Sequence, residues 1–269
     1  MSKRLAEVFA RCEAENRSAL VGYLTAGDPS VETSEKLMLG LAEHIDIIEI
    51  GLPFSDPMAD GPVIQAASER ALAAGTHFDD VLHIAMRIRE KYPNIGIVLM
   101  GYANVPYTIG FEAFAQRASA VGVDGVLLVD IPAEESALCA DIFKQHDLSQ
   151  IMLLAPTSTE ERIQLAADAG DGFIYYVSLA GITGAEMGEV AKIKDKLSLI
   201  RQYSKLPICV GFGVKTTEQA ADLASFADGV VVGSYFVSQI TSNTNAEDVI
   251  VDNLSTSASA LASAMYKAI

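Results

Sequence analysis

Apolar residues fall along this chain in short blocks with two different rhythms. One kind is continuous, β-branched and bounded by glycine or proline. Residues 18–27 (SALVGYLTAG), 44–51 (HIDIIEIG), 95–102 (IGIVLMGY), 122–132 (GVDGVLLVDIP), 150–156 (QIMLLAP), 172–181 (GFIYYVSLAG), 206–213 (LPICVGFG) and 227–234 (ADGVVVGS) are of this kind. Several lack strict alternation, which is how strands of a parallel sheet read when both faces are covered. The other rhythm is helical. Phe78, Val81, Leu82, Ala85 and Ile88 share one helical face, as do Phe111, Phe114, Ala115 and Ala118. The spacing of Thr157 and Glu160 predicts a capping box opening a helix that stops near Gly170, and residues 215–226 (KTTEQAADLASF) begin in the same style. From about Asn245 the chain reads as a last helix with Ile250, Leu254, Leu261 and Met265 on one side.

Eight strand-like blocks alternating with helices give the (β/α)8 rhythm of a TIM barrel, and the length suits that fold, which typically takes about 250 residues. Extra helices are expected, since one helical pattern ends near Gly75 and another starts near Phe78. The alternative is an open doubly wound sheet, but no GxGxxG follows the first strand. No linker divides the chain, so residues 1–269 are expected to form a single barrel domain.

Composition narrows the class. Half of the 269 residues are hydrophobic and the net charge is -16. A strongly acidic chain is a poor partner for nucleic acid or an anionic membrane surface, yet backbone amides can still bind a phosphate. Cys12, Cys139 and Cys209 are odd in number and scattered, the N-terminus is charged throughout, and no apolar run approaches a membrane span. These features predict a cytoplasmic protein. The four histidines match no local metal spacing, so no metal site is expected.

The candidate chemistry centres on residues 49–62 (EIGLPFSDPMADGP), where three prolines and two glycines exclude a regular element over most of the stretch. Glu49, Asp56 and Asp60 lie in it and Asp46 just before it. Glu49 closes the second strand, with Ile45 and Ile47 on its face and no basic residue in the neighbouring strand blocks. If that face points into the barrel, desolvation raises the pKa of Glu49 into a range suited to proton transfer. A salt-bridged structural carboxylate is the competing reading. Asp60 lies at the end of the loop, just before a helix with Gly61 as its cap and Pro62 in first position; it is either a site residue or a helix-terminus charge. Asp56 reads as a turn residue. Asp130, Asp124, Asp28 and Asn104 read as loop-fixing groups. Tyr175 sits in the sixth strand, as core or as a hydroxyl reaching a polar neighbour. The loop after that strand, residues 178–189, is an ordinary loop or a lid that excludes water. Gly211 and Gly213 after the seventh strand, and Gly233 and Ser234 after the eighth, stand where barrels often bind phosphate; tight turns are the alternative.

Taken together, "GYLTAGDP", "EIGLPFSDPMADGPVIQ", "VDGVLLVDIP", "YYVSLAGITGAE", "VGFGV" and "VVGS" closely resemble the alpha subunits of tryptophan synthase across essentially the whole chain. The resemblance implies a (β/α)8 lyase that cleaves indole-3-glycerol phosphate to indole and D-glyceraldehyde 3-phosphate in L-tryptophan biosynthesis. It implies no cofactor on this chain, and a pyridoxal-phosphate beta subunit as partner in an α2β2 tetramer. By the same resemblance Glu49 is the general acid/base, Asp60 the carboxylate at the indole N–H, and Tyr175 a tyrosine near the acid. Gly184, Gly211, Gly213, Gly233 and Ser234 hold the phosphate. Tyr23, Ile64, Met100, Leu127 and Phe212 line the indole pocket, and Thr183 is the lid residue that meets Asp60. Asp56, Pro57 and the segment around Asn104 match surfaces near the beta subunit. Tyr23 stands where phenylalanine is frequent, Leu179 replaces a basic residue of some members, and Gly101 adds freedom after the third strand. A stand-alone lyase releasing free indole, another phosphosugar enzyme on the same barrel, and a regulatory subunit without turnover are the competing functions.

Overall fold

The computed structural model describes residues 1–177, 187–211, 213–241 and 247–267, with the backbone alone at 187–189. Nine parallel strands run through them: β1 (Ala19–Thr25), β2 (Ile47–Gly51), β3 (Gly96–Gly101), β4 (Gly125–Leu128), β5 (Ser149–Gln150), β6 (Met152–Leu154), β7 (Ile174–Val177), β8 (Ile208–Gly211) and β9 (Gly229–Val232). Their order in the sheet is β5-β4-β3-β2-β1-β9-β8-β7-β6. β5 and β6 are two pieces of one stave, interrupted only at Ile151. The lower piece pairs with β4 and the upper with β7, and the Ile151 amide donates to the Val126 carbonyl at 3.0 Å. The expected single strand at 150–156 is thus a seam. By changing partner halfway it closes eight staves into a ring, and the expected (β/α)8 barrel stands.

The strands look uniformly apolar because both of their faces are buried. Val21, Ile47, Val98, Leu127, Ile151, Tyr175, Cys209 and Val231 fill the interior, and alternate residues such as Leu20, Ile48, Leu99, Val126 and Val230 pack outward under the helices. Leu5, Val8, Phe9 and Cys12, at helical spacing on Lys3–Ala14, join the interior cluster. That amphipathic helix therefore belongs to the inner core, and truncating a buried Leu such as Leu5 costs about 2–5 kcal/mol. Glu49 has the parity of Ile47 and is fully buried. Ile45 lies before the strand and packs in the outer layer instead.

The rim at the N-terminal ends of the strands is braced by a repeated device. Asp46, Asp124 and Asp228 each stand one residue before a strand and accept a backbone N–H from the neighbouring strand: Leu20 at 3.0 Å, Ile97 at 2.9 Å and Ile208 at 2.8 Å. Each is also paired with arginine: Asp46 with Arg17 and Arg11, Asp124 with Arg4 and Arg89, Asp228 with Arg201.

At the other rim, the helix Pro62–Ala73 begins as expected, with Gly61 as its cap. A second helix, Phe78–Lys91, follows it. One expectation is corrected. The helix Glu160–Ala169 is capped by Thr159, whose hydroxyl accepts the Arg162 N–H, and not by a box at Thr157. The cap residue must lie immediately outside the helix, which starts two residues later than that box requires.

Candidate active site at the C-terminal rim

Glu49 reaches the interior just below the C-terminal rim because it is the third residue of a five-residue inward-alternating strand. No part of it is exposed, and neither carboxylate oxygen has a hydrogen-bond partner among the described residues. Burial alone pushes its pKa up to about 8. A carboxyl group with that value is mostly protonated at neutral pH and is held ready to give its proton away.

Two tyrosines approach it from other staves. Tyr23 on β1 pairs in register with Glu49, and its hydroxyl bonds to the Thr25 hydroxyl at 3.1 Å. Tyr175 comes from β7. Burial holds both phenols above the usual range, and the charges of Glu49 and Asp60 push each of them further. The four groups thus share one electrostatic neighbourhood. Glycines make room for the rings. A Cβ at Gly51 would lie 2.2 Å from the Tyr23 hydroxyl oxygen, and one at Gly211 would lie 2.5 Å from that of Tyr175.

Asp60 ends the loop that leaves β2. Desolvation raises its pKa, and a hydrogen bond from the Tyr102 hydroxyl to Oδ2 at 3.0 Å opposes the rise. The Ala59 N–H donates to the same hydroxyl at 3.0 Å, and the Tyr102 ring lies 5.0 Å from that of Phe54. From the helix that follows, Gln65 donates its side-chain amide to the Asp60 carbonyl at 2.8 Å and to that of Pro57 at 3.3 Å. The loop is therefore gripped from both sides although it has no regular structure.

Ile64 and Met100 are half-buried at this rim, whereas Leu127 is fully buried within the interior cluster. Gly233 precedes the helix Ser234–Thr241, and Ser234 is its first residue. The first amide groups of a helix lack intrahelical acceptors, which leaves them free for an anion. A Cβ at Gly233 would rest on the Tyr23 side chain at 3.4 Å. Gly213 has φ +63°, a left-handed conformation that suits glycine, with open space around it. Gly211 is accounted for by the close approach of Tyr175. Thr183, Gly184, Leu179 and Phe212 lie outside the described residues.

Of the residues read as loop-fixing, Asp28 and Asp130 have that role, and Asp124 instead braces the opposite rim. Asp28 takes two bonds from Arg70 at 2.7 Å, Asp130 accepts the Ala103 N–H at 2.8 Å, and Asp56 is exposed and accepts from Ser55. Asp46 belongs to the opposite rim. Tyr102 and Gln65 were not singled out by the sequence; the only signal was that Tyr102 ends an apolar block at the functional rim. Among the described residues there is no cluster of His, Cys, Asp and Glu able to hold a metal ion, and no helix long and apolar enough to cross a membrane.

The comparisons with known proteins agree with this fold. The family model for the tryptophan synthase alpha chain matches residues 9–266. The tryptophan synthase alpha chain of Zymomonas mobilis is 48% identical over 88% of this chain and 87% of its own. That of Nitrosococcus oceani is 46% identical, covering 94% and 93%. The crystal structure of the tryptophan synthase alpha subunit from Legionella pneumophila superposes with a TM-score of 0.90 at 38% identity, over 97% of this chain and 98% of that one.

Proposed function

This chain belongs to the tryptophan synthase alpha chain family, and on that premise we propose that it cleaves indole-3-glycerol phosphate to indole and D-glyceraldehyde 3-phosphate, acting throughout as one barrel domain. Glu49 carries the reading, being a fully buried carboxyl group with no hydrogen-bond partner among the described residues and a pKa near 8, facing into the barrel near its C-terminal rim.

Glu49 in its acid form protonates the indole ring carbon that bears the glycerol chain. Aromaticity is lost and positive charge spreads to the ring nitrogen, where the Asp60 carboxylate accepts the N–H and stabilises it. Loss of the proton from the hydroxyl on the adjacent chain carbon, assisted by the now ionised Glu49, forms the aldehyde. The electrons of the breaking carbon–carbon bond return to the ring and restore the indole. Tyr175 and Tyr23 pack beside the acid and keep water from it. Tyr23, Ile64, Met100, Leu127 and Phe212 are assigned to the indole pocket. Gly184, Gly213, Gly233 and Ser234, with Gly211 beside them, are assigned to the phosphate, and Thr183 to a lid over Asp60.

The partner is a pyridoxal-phosphate beta subunit that takes up the indole, in an α2β2 tetramer. Exposed Asp56 and Met58, in the loop after β2, and Tyr107, on the short helix Asn104–Ile109 after β3, suit a protein-facing surface at this rim. Three free, buried cysteines suit a cytoplasmic location. The deciding experiment is indole release from indole-3-glycerol phosphate by the purified chain, with and without the beta subunit. Slow release alone and strong activation by beta is the expected result. Fast release alone points to a free-standing lyase, and no release in either condition removes the lyase reading.

A further inference from the structure

We infer that Tyr102 is a positioning residue for the reaction: its hydroxyl, aimed by the Ala59 amide, holds one oxygen of Asp60 and leaves the other free for the substrate's ring nitrogen. This rests on the role proposed above for Asp60.

Asp60 sits on a stretch without regular structure, so something outside that stretch must fix its carboxylate. Tyr102 is suited to the task. It follows β3 directly, and that end of the barrel is tied on both sides: the Leu52 amide donates to the Met100 carbonyl at 2.8 Å and the Val129 amide to the Gly101 carbonyl at 3.0 Å. The residue after it is held through the Ala103 N–H by Asp130. The side chain is 2% exposed, so its position is set by the barrel and not by solvent. A phenol oxygen has one proton to give. Since the Ala59 N–H occupies the oxygen's acceptor side, that proton is directed at Asp60 Oδ2, and the ring is braced by Phe54. One hydroxyl thus contacts the loop's backbone and its functional side chain together.

The same bond bears on charge. Among the described residues the titratable groups acting on this neighbourhood are Glu49 on β2, Tyr23 on β1, Tyr175 on β7 and Asp130 after β4, none of them cationic. Burial disfavours the ionised form of Asp60, and the Tyr102 hydroxyl favours it. A phenylalanine here keeps the ring and its stacking but removes the donor.

The test compares wild type, Tyr102→Phe, Asp60→Asn and the double variant, each with the beta subunit, by indole release from about pH 5.5 to 8.5. Loss of a hydrogen bond to a charged group predicts that Tyr102→Phe lowers kcat about 10- to 100-fold with KM changed less than about threefold. The acid limb of its kcat/KM profile moves to higher pH. In the Asp60→Asn background the added Tyr102→Phe change costs less than about twofold, because the two residues act as one unit. An equal loss in both backgrounds, or a loss with an unmoved acid limb, overturns the inference and makes Tyr102 merely structural. A silent Tyr102→Phe with a crippled Asp60→Asn overturns this inference alone. Wild-type kcat in Asp60→Asn overturns it together with the role given to Asp60.

Discussion

Asp46 and Glu49 are three residues apart, one just before β2 and the other at its middle, about 10 Å by strand geometry, and the molecule treats them in opposite ways. Asp46 receives Arg17 through two bonds, at 2.6 and 2.8 Å, Arg11 at 3.2 Å and the Leu20 amide at 3.0 Å. Glu49 is buried more completely and receives no bond from the described residues. The same contrast separates the two rims. Asp124 and Asp228 are compensated like Asp46, whereas among the described residues the Asp60 carboxylate receives only a phenol. The lower-rim carboxylates are surrounded by donors, as groups that serve stability are, whereas Glu49 and Asp60 are left in want of a proton or a substrate, as their proposed roles require. This is the division of labour expected between the bottom and top of such a barrel.

The largest expected effect tests the upper member of the pair. Glu49→Gln keeps size and shape but cannot deliver a proton to carbon. Indole release should fall by about 10²–10⁴, the usual worth of a positioned general acid, with the fold intact by circular dichroism. Turnover within tenfold of wild type would remove Glu49 from the chemistry.

Next in size is the lower member. Asp46→Asn leaves Arg17 and Arg11 facing a neutral amide at a partly buried site. Breaking one side of a buried ion pair costs about 3–5 kcal/mol; since Arg11 is more than a third exposed, the lower end is the expectation for denaturant unfolding. The fraction that remains folded should cleave substrate at a near-normal rate. Loss of activity without loss of stability would break the comparison.

How far the sequence carried this contrast depends on which signal each residue left. Glu49 was visible because an acid inside an apolar block, with no basic residue in neighbouring blocks, has few structural explanations. Asp60 was placed at the helix entrance by Gly61 and Pro62, but nothing local separated a charge at a helix terminus from a site residue. Asp46 was grouped with the site acids by proximity, and its separation from them appears only once Arg11 and Arg17 are folded against it. Tyr102 was missed since a tyrosine ending an apolar block reads as core, and its meaning lies in a bond to a residue 42 positions away. The strand rhythm gave the barrel, while the seam at Ile151 depends on ring closure, which no local pattern encodes.

The smallest effect is also the one that most sharpens the comparison, because it turns a catalytic feature into a stability measurement of opposite sign to that of Asp46. The Glu49 pKa is raised by burial to about 8, against about 4.3 for an unfolded glutamate. Between these values the folded state holds a proton that the unfolded state has lost. The contribution is therefore fully present below about pH 4 and disappears as pH rises through about 8. Glu49→Gln cannot ionise and avoids that loss. Around pH 4 the two proteins should unfold at nearly the same denaturant concentration. By about pH 6 the variant should be more stable by roughly 2 kcal/mol, and the gap widens as pH rises further. Asp46→Asn should be less stable than wild type at both pH values. A Glu49→Gln variant that gains nothing on the alkaline side would mean that the strand-end carboxyl group is solvated or paired, and the contrast between the two rims would lose its physical basis.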